Sequence, residues 1–191
     1  MKRLYFTRHG ESQTNMGNLW GNAVGATNDL GLTDLGKEQA HETAKKAKIA
    51  GIQPDRIICS PLARTQETAA IIARELGFSV DAIEYSDLLV ELQVGELEET
   101  PYFDYWDQYS YADLGKFAGA ETIEKLQLRA TQALAYLQSL PEDDILVVSH
   151  SCFGRALKRV IEGRPYNEEF THGEPLPYAE IMLLIPRDEL A

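Results

Sequence analysis

The sequence predicts an α/β sandwich, α/β/α in three layers, with a mostly parallel central sheet and a small cap segment. Three observations predict it. Short apolar runs alternate along the chain with helical periodicities, which is the pattern of repeated βαβ units. The clearest run, Ile145 to Ser149 (ILVVS), is apolar on both faces, as a central strand covered from two sides must be. The 191 residues, 44% of them apolar, suffice for one core and point to a single domain over 1–191.

Lys2 to Thr7 reads as the first strand, ending at the polar Arg8-His9-Gly10. A Gly- and Asn-rich stretch from Glu11 to Leu32 follows, and connections of that length are usually functional. Thr33 caps a helix to about Lys48, with Leu35, Ala40, Ala44 and Ala47 on one face and Gly51 and Pro54 beyond its end. Arg56 to Cys59 is a short buried strand. Ser60-Pro61 then opens a helix, where proline suits an early position. Ala69, Ile72, Ala73 and Leu76 form its buried stripe before Gly77.

Ala82 to Tyr85 predicts a weaker strand, and residues 92–118, without a clean period, read as the cap. Ile123, Leu126, Ala130, Leu134 and Leu137 trace a long helix ending near Pro141. After the 145–149 strand, Phe153, Ala156, Leu157, Val160 and Ile161 trace another, closed by Gly163 and Pro165. Tyr178 to Ile185 is the last strand.

Charge narrows the function. Thirty acidic against 18 basic residues give a formal net charge of −12. Such a surface repels nucleic-acid backbones and acidic lipid, so neither nucleic acid nor membrane is the expected partner. No apolar run approaches the ~18 residues of a membrane span, and MKRLYFTRHG lacks the apolar core of a signal peptide. Cys59 and Cys152 cannot build a disulfide framework and suit a reducing compartment, so the expected location is cytoplasmic. The sequence leaves the oligomeric state open, a homodimer included.

In parallel sheets, ligands bind beyond the carboxyl ends of the strands. Arg8-His9, the Ser60 to Arg64 segment and His150 each follow a predicted strand, so three distant basic clusters reach one sheet edge. Arginine forks match phosphate oxygens in pairs, and a neutral histidine can attack phosphorus. Glu91, beside the apolar Leu88-Leu89-Val90, is placed to protonate a leaving alkoxide and then activate water. On residue types alone this is an anion site, with phosphoryl transfer as one chemistry it could run.

Four blocks then carry a resemblance. TRHGESQTN at 7–15, SPLARTQETA at 60–69, ELQVGELEE at 91–99 and VVSHSCFGRAL at 147–157 resemble, in order, the signature segments of the histidine phosphatase (phosphoglycerate mutase-like) superfamily. DLGLTDLGKEQA at 29–40 and GAETIEKLQLRATQAL at 119–134 are similar to its linking pieces. The resemblance implies that His9 is the catalytic nucleophile, that Arg8, Asn15, Arg64 and His150 bind phosphate, and that Glu91 is the proton donor. It implies no metal and no cofactor. Ser151 follows His150 where the family's other branch carries its acid, which favours the branch that uses Glu91.

The chain departs from the family pattern at Ser151 and Glu99, where glycine is usual, and lacks an arginine at 27–29. A cysteine-based phosphatase fits neither cysteine, because position 65 is Thr and position 158 is Lys where that class has Arg. His41 reads as solvated surface and His172 as structural. Trp20, Tyr102 and Trp106 are candidates for an aromatic substrate wall. The expected activity is hydrolysis of a small phosphorylated metabolite. A cofactor-dependent phosphoglycerate mutase is the first alternative and a non-catalytic phospho-ligand-binding protein the second. The lone base of 92–118, Lys116, suits a mutase's strongly anionic substrate poorly.

Overall fold

The computed structural model describes residues 3–13, 30–98, 110–164 and 175–186. Among these, the strands are β1 (Arg3–Arg8), β2 (Arg56–Cys59), β3 (Glu84–Tyr85), β4 (Asp144–Ser149) and β5 (Ile181–Ile185). The helices are α1 (Asp34–Ile49), α2 (Ala63–Leu76), α3 (Ile123–Ser139) and α4 (Ser151–Ile161). The strands form one sheet in the order β3-β2-β4-β1-β5. All neighbours run parallel except β5, which is antiparallel to β1. The predicted α/β architecture is the observed one.

Alternation along the strands divides the core. Leu4, Phe6, Ile145 and Val147 pack with α3 and α4 on one face. Tyr5, Ile57, Leu146 and Val148 pack with α1 and α2 on the other. Every residue of β4 is buried, which explains its unbroken apolar run. Burying each such side chain contributes roughly 1.5–3 kcal/mol.

α1 starts at the predicted cap, with Thr33 Oγ1 accepting from the Gly36 N–H at 3.0 Å. α2 ends at Gly77 in the left-handed conformation, φ 75°.

Two strands are shorter than the sequence pattern suggests. Residues 80–82 form a 3-10 turn, leaving β3 only Glu84 and Tyr85. Tyr178 makes an isolated bridge to Arg8, and Ala179 takes a positive φ of 45°, so β5 begins only at Ile181. In the described part of 92–118, Val94, Leu97, Tyr111 and Leu114 join the α3–α4 core from irregular segments and 3-10 turns. No helix among the described residues is long and apolar enough to cross a membrane.

Candidate active site

Strand ends deliver the site. The ladder extends one residue past them: His9 N–H donates to Ser149 O and Ser60 N–H to Val148 O, both at 3.0 Å. His9 and Ser60 are thereby fixed on either side of the end of β4, where His150 caps α4. The rings of His9 and His150 lie 5.2 Å apart, centre to centre, at 64°. Arg8, His9, Arg64, Glu91 and His150 are all buried.

Gly10 is required by close approach. A Cβ there would sit 2.3 Å from the Gly36 carbonyl oxygen, and one on Gly36 would sit 1.9 Å from that of Glu11. The two glycines let the first turn of α1 press against the chain after His9. Thr68 Oγ1 accepts from Gly10 N–H at 3.1 Å and donates to Arg64 O at 2.8 Å, tying α2 to the same turn.

His9 Nδ1 lies 2.7 Å from Gly10 O. A carbonyl accepts only, so Nδ1 carries the proton and Nε2 the lone pair. Burial, then the charges of Arg64 and Arg8, push His9 well below the usual histidine range, against the opposing pull of the Gly10 carbonyl. His150 is lowered in the same way by burial and by Arg64, His9, Arg8 and Arg129. Its Nε2 is 2.8 Å from Ser60 Oγ. Two buried polar atoms here, Arg8 Nε and His150 Nδ1, have no hydrogen-bond partner among the described residues. Buried polar atoms are normally paired, and these two are the kind of donors that an anion's oxygens can satisfy. Together with the two buried guanidinium groups, these atoms suit an anion.

Arg8 is held by the segment before β5. Its Nη1 donates to Leu176 O at 2.8 Å, and its guanidinium lies 3.8 Å from the Tyr178 ring centre. The hydroxyl of Ser151 accepts from Leu176 N–H at 3.0 Å, so the residue that departs from the family pattern anchors this segment.

Glu91 sits among apolar neighbours, as its sequence suggests, but its oxygens meet amides. Oε2 accepts from Cys152 N–H at 3.1 Å, and Oε1 from Phe153 N–H at 3.0 Å and Leu92 N–H at 2.9 Å. A carboxylate at a helix N-terminus is favourably placed.

Asn15, Trp20, Tyr102, Trp106, Glu99 and His172 lie outside the described residues. His41 is exposed and pairs with Glu75. Both cysteines are buried, and Cys152 is pushed up to about 12 by burial, with the Glu91 charge adding to it. Among the described residues, no group of three or more His, Cys, Asp or Glu side chains is arranged to hold a metal ion.

Sequence reasoning missed Tyr178 and Arg129 as neighbours of the site residues, and it brought Ser60 to the site edge without pairing it with His150. Arg129 left a signal, since it sits three residues after Leu126 and four before Ala133 on the buried stripe of α3.

Comparison with known proteins shows the family and the fold. A model of the histidine phosphatase superfamily (branch 1) matches residues 4–188. A probable phosphoglycerate mutase, GpmB, of Enterobacter sp. (strain 638) is 33% identical over 174 residues, covering 86% of this chain and 77% of that protein. Among solved structures, the product of the open reading frame Rv3214 of Mycobacterium tuberculosis is 28% identical with a TM-score of 0.74, covering 94% of this chain and 89% of that one. The α-ribazole phosphatase of Shigella flexneri, 23% identical, shares the fold with a TM-score of 0.77 over 94% of this chain and 88% of its own.

Proposed function

The chain belongs to the histidine phosphatase superfamily, branch 1, and from that membership we propose that it hydrolyses a small phosphomonoester through a phosphohistidine on His9. The observation that carries the reading is the His9 tautomer. With Nδ1–H bound to Gly10 O, a neutral ring keeps its Nε2 lone pair for phosphorus.

In the first step Nε2 bonds to phosphorus and the bond from phosphorus to the ester oxygen breaks. The leaving oxygen takes a proton from Glu91. In the second, water attacks phosphorus and gives a proton to Glu91, and the P–N bond breaks to return the lone pair to Nε2. Arg8, Arg64 and His150 hold the phosphoryl oxygens, with Asn15 as a further donor, and stabilise charge as it develops. Trp20, Tyr102 and Trp106 enter this proposal as candidates for a wall against the leaving group. The substrate is a small phosphorylated molecule, not nucleic acid or membrane.

Hydrolysis is favoured over mutase chemistry by the scarcity of basic residues in segment 92–118 of the sequence. Lys116, the sole base of 92–118, is exposed and pairs with Asp113 at 2.6 Å. A second reading, phosphoglycerate mutase, is favoured by the names of curated relatives. The test is phosphate release from a phosphomonoester panel in EDTA, with His9→Ala beside the wild type and phosphoglycerate isomerisation assayed in parallel. Metal-independent release that is lost in His9→Ala supports the hydrolase. Isomerisation that outpaces release supports the mutase.

A further inference from the structure

We propose that Arg129 is the positioning residue for Glu91, a role that rests on Glu91 acting as the proton donor. Glu91 lies in a stretch without regular strand or helix pairing, directly after a 3-10 turn at Asp87–Leu89. Yet four consecutive carbonyls there are each taken by a side chain. Arg129 Nη1 donates to Leu88 O at 3.0 Å and Val90 O at 2.7 Å, and Nη2 to Glu91 O at 3.3 Å. Ser149 Oγ donates to Leu89 O at 2.6 Å.

The remaining donors of the guanidinium, Nε and the second Nη2 proton, go to the Glu121 carboxylate at 2.9 and 2.6 Å. All five N–H groups of Arg129 are thereby engaged, and the fork is locked. Its Cζ also lies 5.3 Å from the ring centre of Phe153, whose own N–H holds Glu91 Oε1. One guanidinium therefore braces both the backbone that carries the carboxyl and the residue that grips it. Lysine, with three donors on a single nitrogen, cannot reproduce this pattern.

General-acid catalysis depends on the placement of the proton relative to the leaving oxygen. A poor leaving group such as a simple alkoxide needs that proton, whereas p-nitrophenolate departs without it. The experiment compares kcat/KM for an alkyl phosphate and for p-nitrophenyl phosphate in wild type, Glu91→Gln, Arg129→Lys and Ser149→Ala. Arg129→Lys is expected to lose about 10–100-fold on the alkyl ester while staying within about threefold on the nitrophenyl ester. Ser149→Ala is expected to show a smaller loss with the same selectivity. Added to Glu91→Gln, Arg129→Lys should cause no further selective loss, because the group it places is gone.

Equal losses on both esters, or none, would mean that Arg129 only supports the fold, and the proposal would be overturned. If Arg129→Lys does not fold, Ser149→Ala decides by the same criterion. If Glu91→Gln itself shows no selectivity, the proton-donor reading fails and the positioning role falls with it. If only Glu91→Gln is selective, that reading stands and the positioning role alone is refuted.

Discussion

Replacing Glu91 by alanine removes the carboxylate that receives two N–H groups at the start of α4, those of Cys152 and Phe153. His150 occupies the cap position but makes no side-chain cap bond. Cys152 and Phe153 are 6% and 0% exposed, so solvent reaches their amides poorly. A buried N–H left unpaired costs about 1–3 kcal/mol, and a lost helix cap typically about 1 kcal/mol. Because these describe overlapping losses, the expected destabilisation is roughly 2–4 kcal/mol, or about 5–15 °C in Tm for a domain of this size.

Glu91→Gln keeps one carbonyl acceptor and is expected to cost about 1–2 kcal/mol. Glu96, exposed and bonded to Ala118 N–H, is the control, with Glu96→Ala within about 1 kcal/mol of wild type. Urea unfolding followed by circular dichroism ranks the variants. A Glu91→Ala protein as stable as Glu96→Ala would refute the placement of Glu91 on α4 and the mechanism built on it.

Since the folded protein holds His9 and His150 neutral, their contribution to stability is complete above the unfolded value near 6.5 and is lost as pH falls below it toward their lowered folded values. The slope from the pair reaches about 2.7 kcal/mol per pH unit, and a His9→Gln/His150→Gln variant should unfold with a visibly flatter acid limb; an unchanged limb would count against burial of neutral rings. A thiol reagent at pH 8 should leave both cysteines unmodified in the native protein and label both in urea, because burial raises Cys59 and Cys152 alike. Gly36→Ala should lower Tm despite its gain of about 1 kcal/mol in helix propensity, because the new Cβ meets the Glu11 backbone at 1.9 Å. A higher Tm would remove the packing argument for the Gly10–Gly36 pair.

Much of this was legible in the chain because strands β1, β2 and β4 write their burial directly as apolar runs, and the site residues follow their ends. Arg8, His9, Arg64, Glu91 and His150 could all be picked out by position and type. The aperiodic residues 92–118 hid core positions because their described turns are 3-10, where Tyr111 and Leu114 share a face at a spacing of three. The apolar run that ends in IMLLI extends the predicted strand back to Tyr178. Its role beside Arg8 arises from a bridge between segments 170 residues apart. Ser60 on His150 and Arg129 on Glu91 are likewise products of tertiary pairing, 90 and 38 positions apart, which local pattern cannot express.

In the proposed mechanism His9 itself carries the phosphoryl group. The direct measurement is to quench the enzyme during turnover of a phosphomonoester, keep it at alkaline pH, and map the phosphate by peptide mass spectrometry. The expected result is an acid-labile phosphate on His9, absent from His9→Ala. Phosphate on another side chain, or turnover in His9→Ala at the wild-type rate, would contradict it.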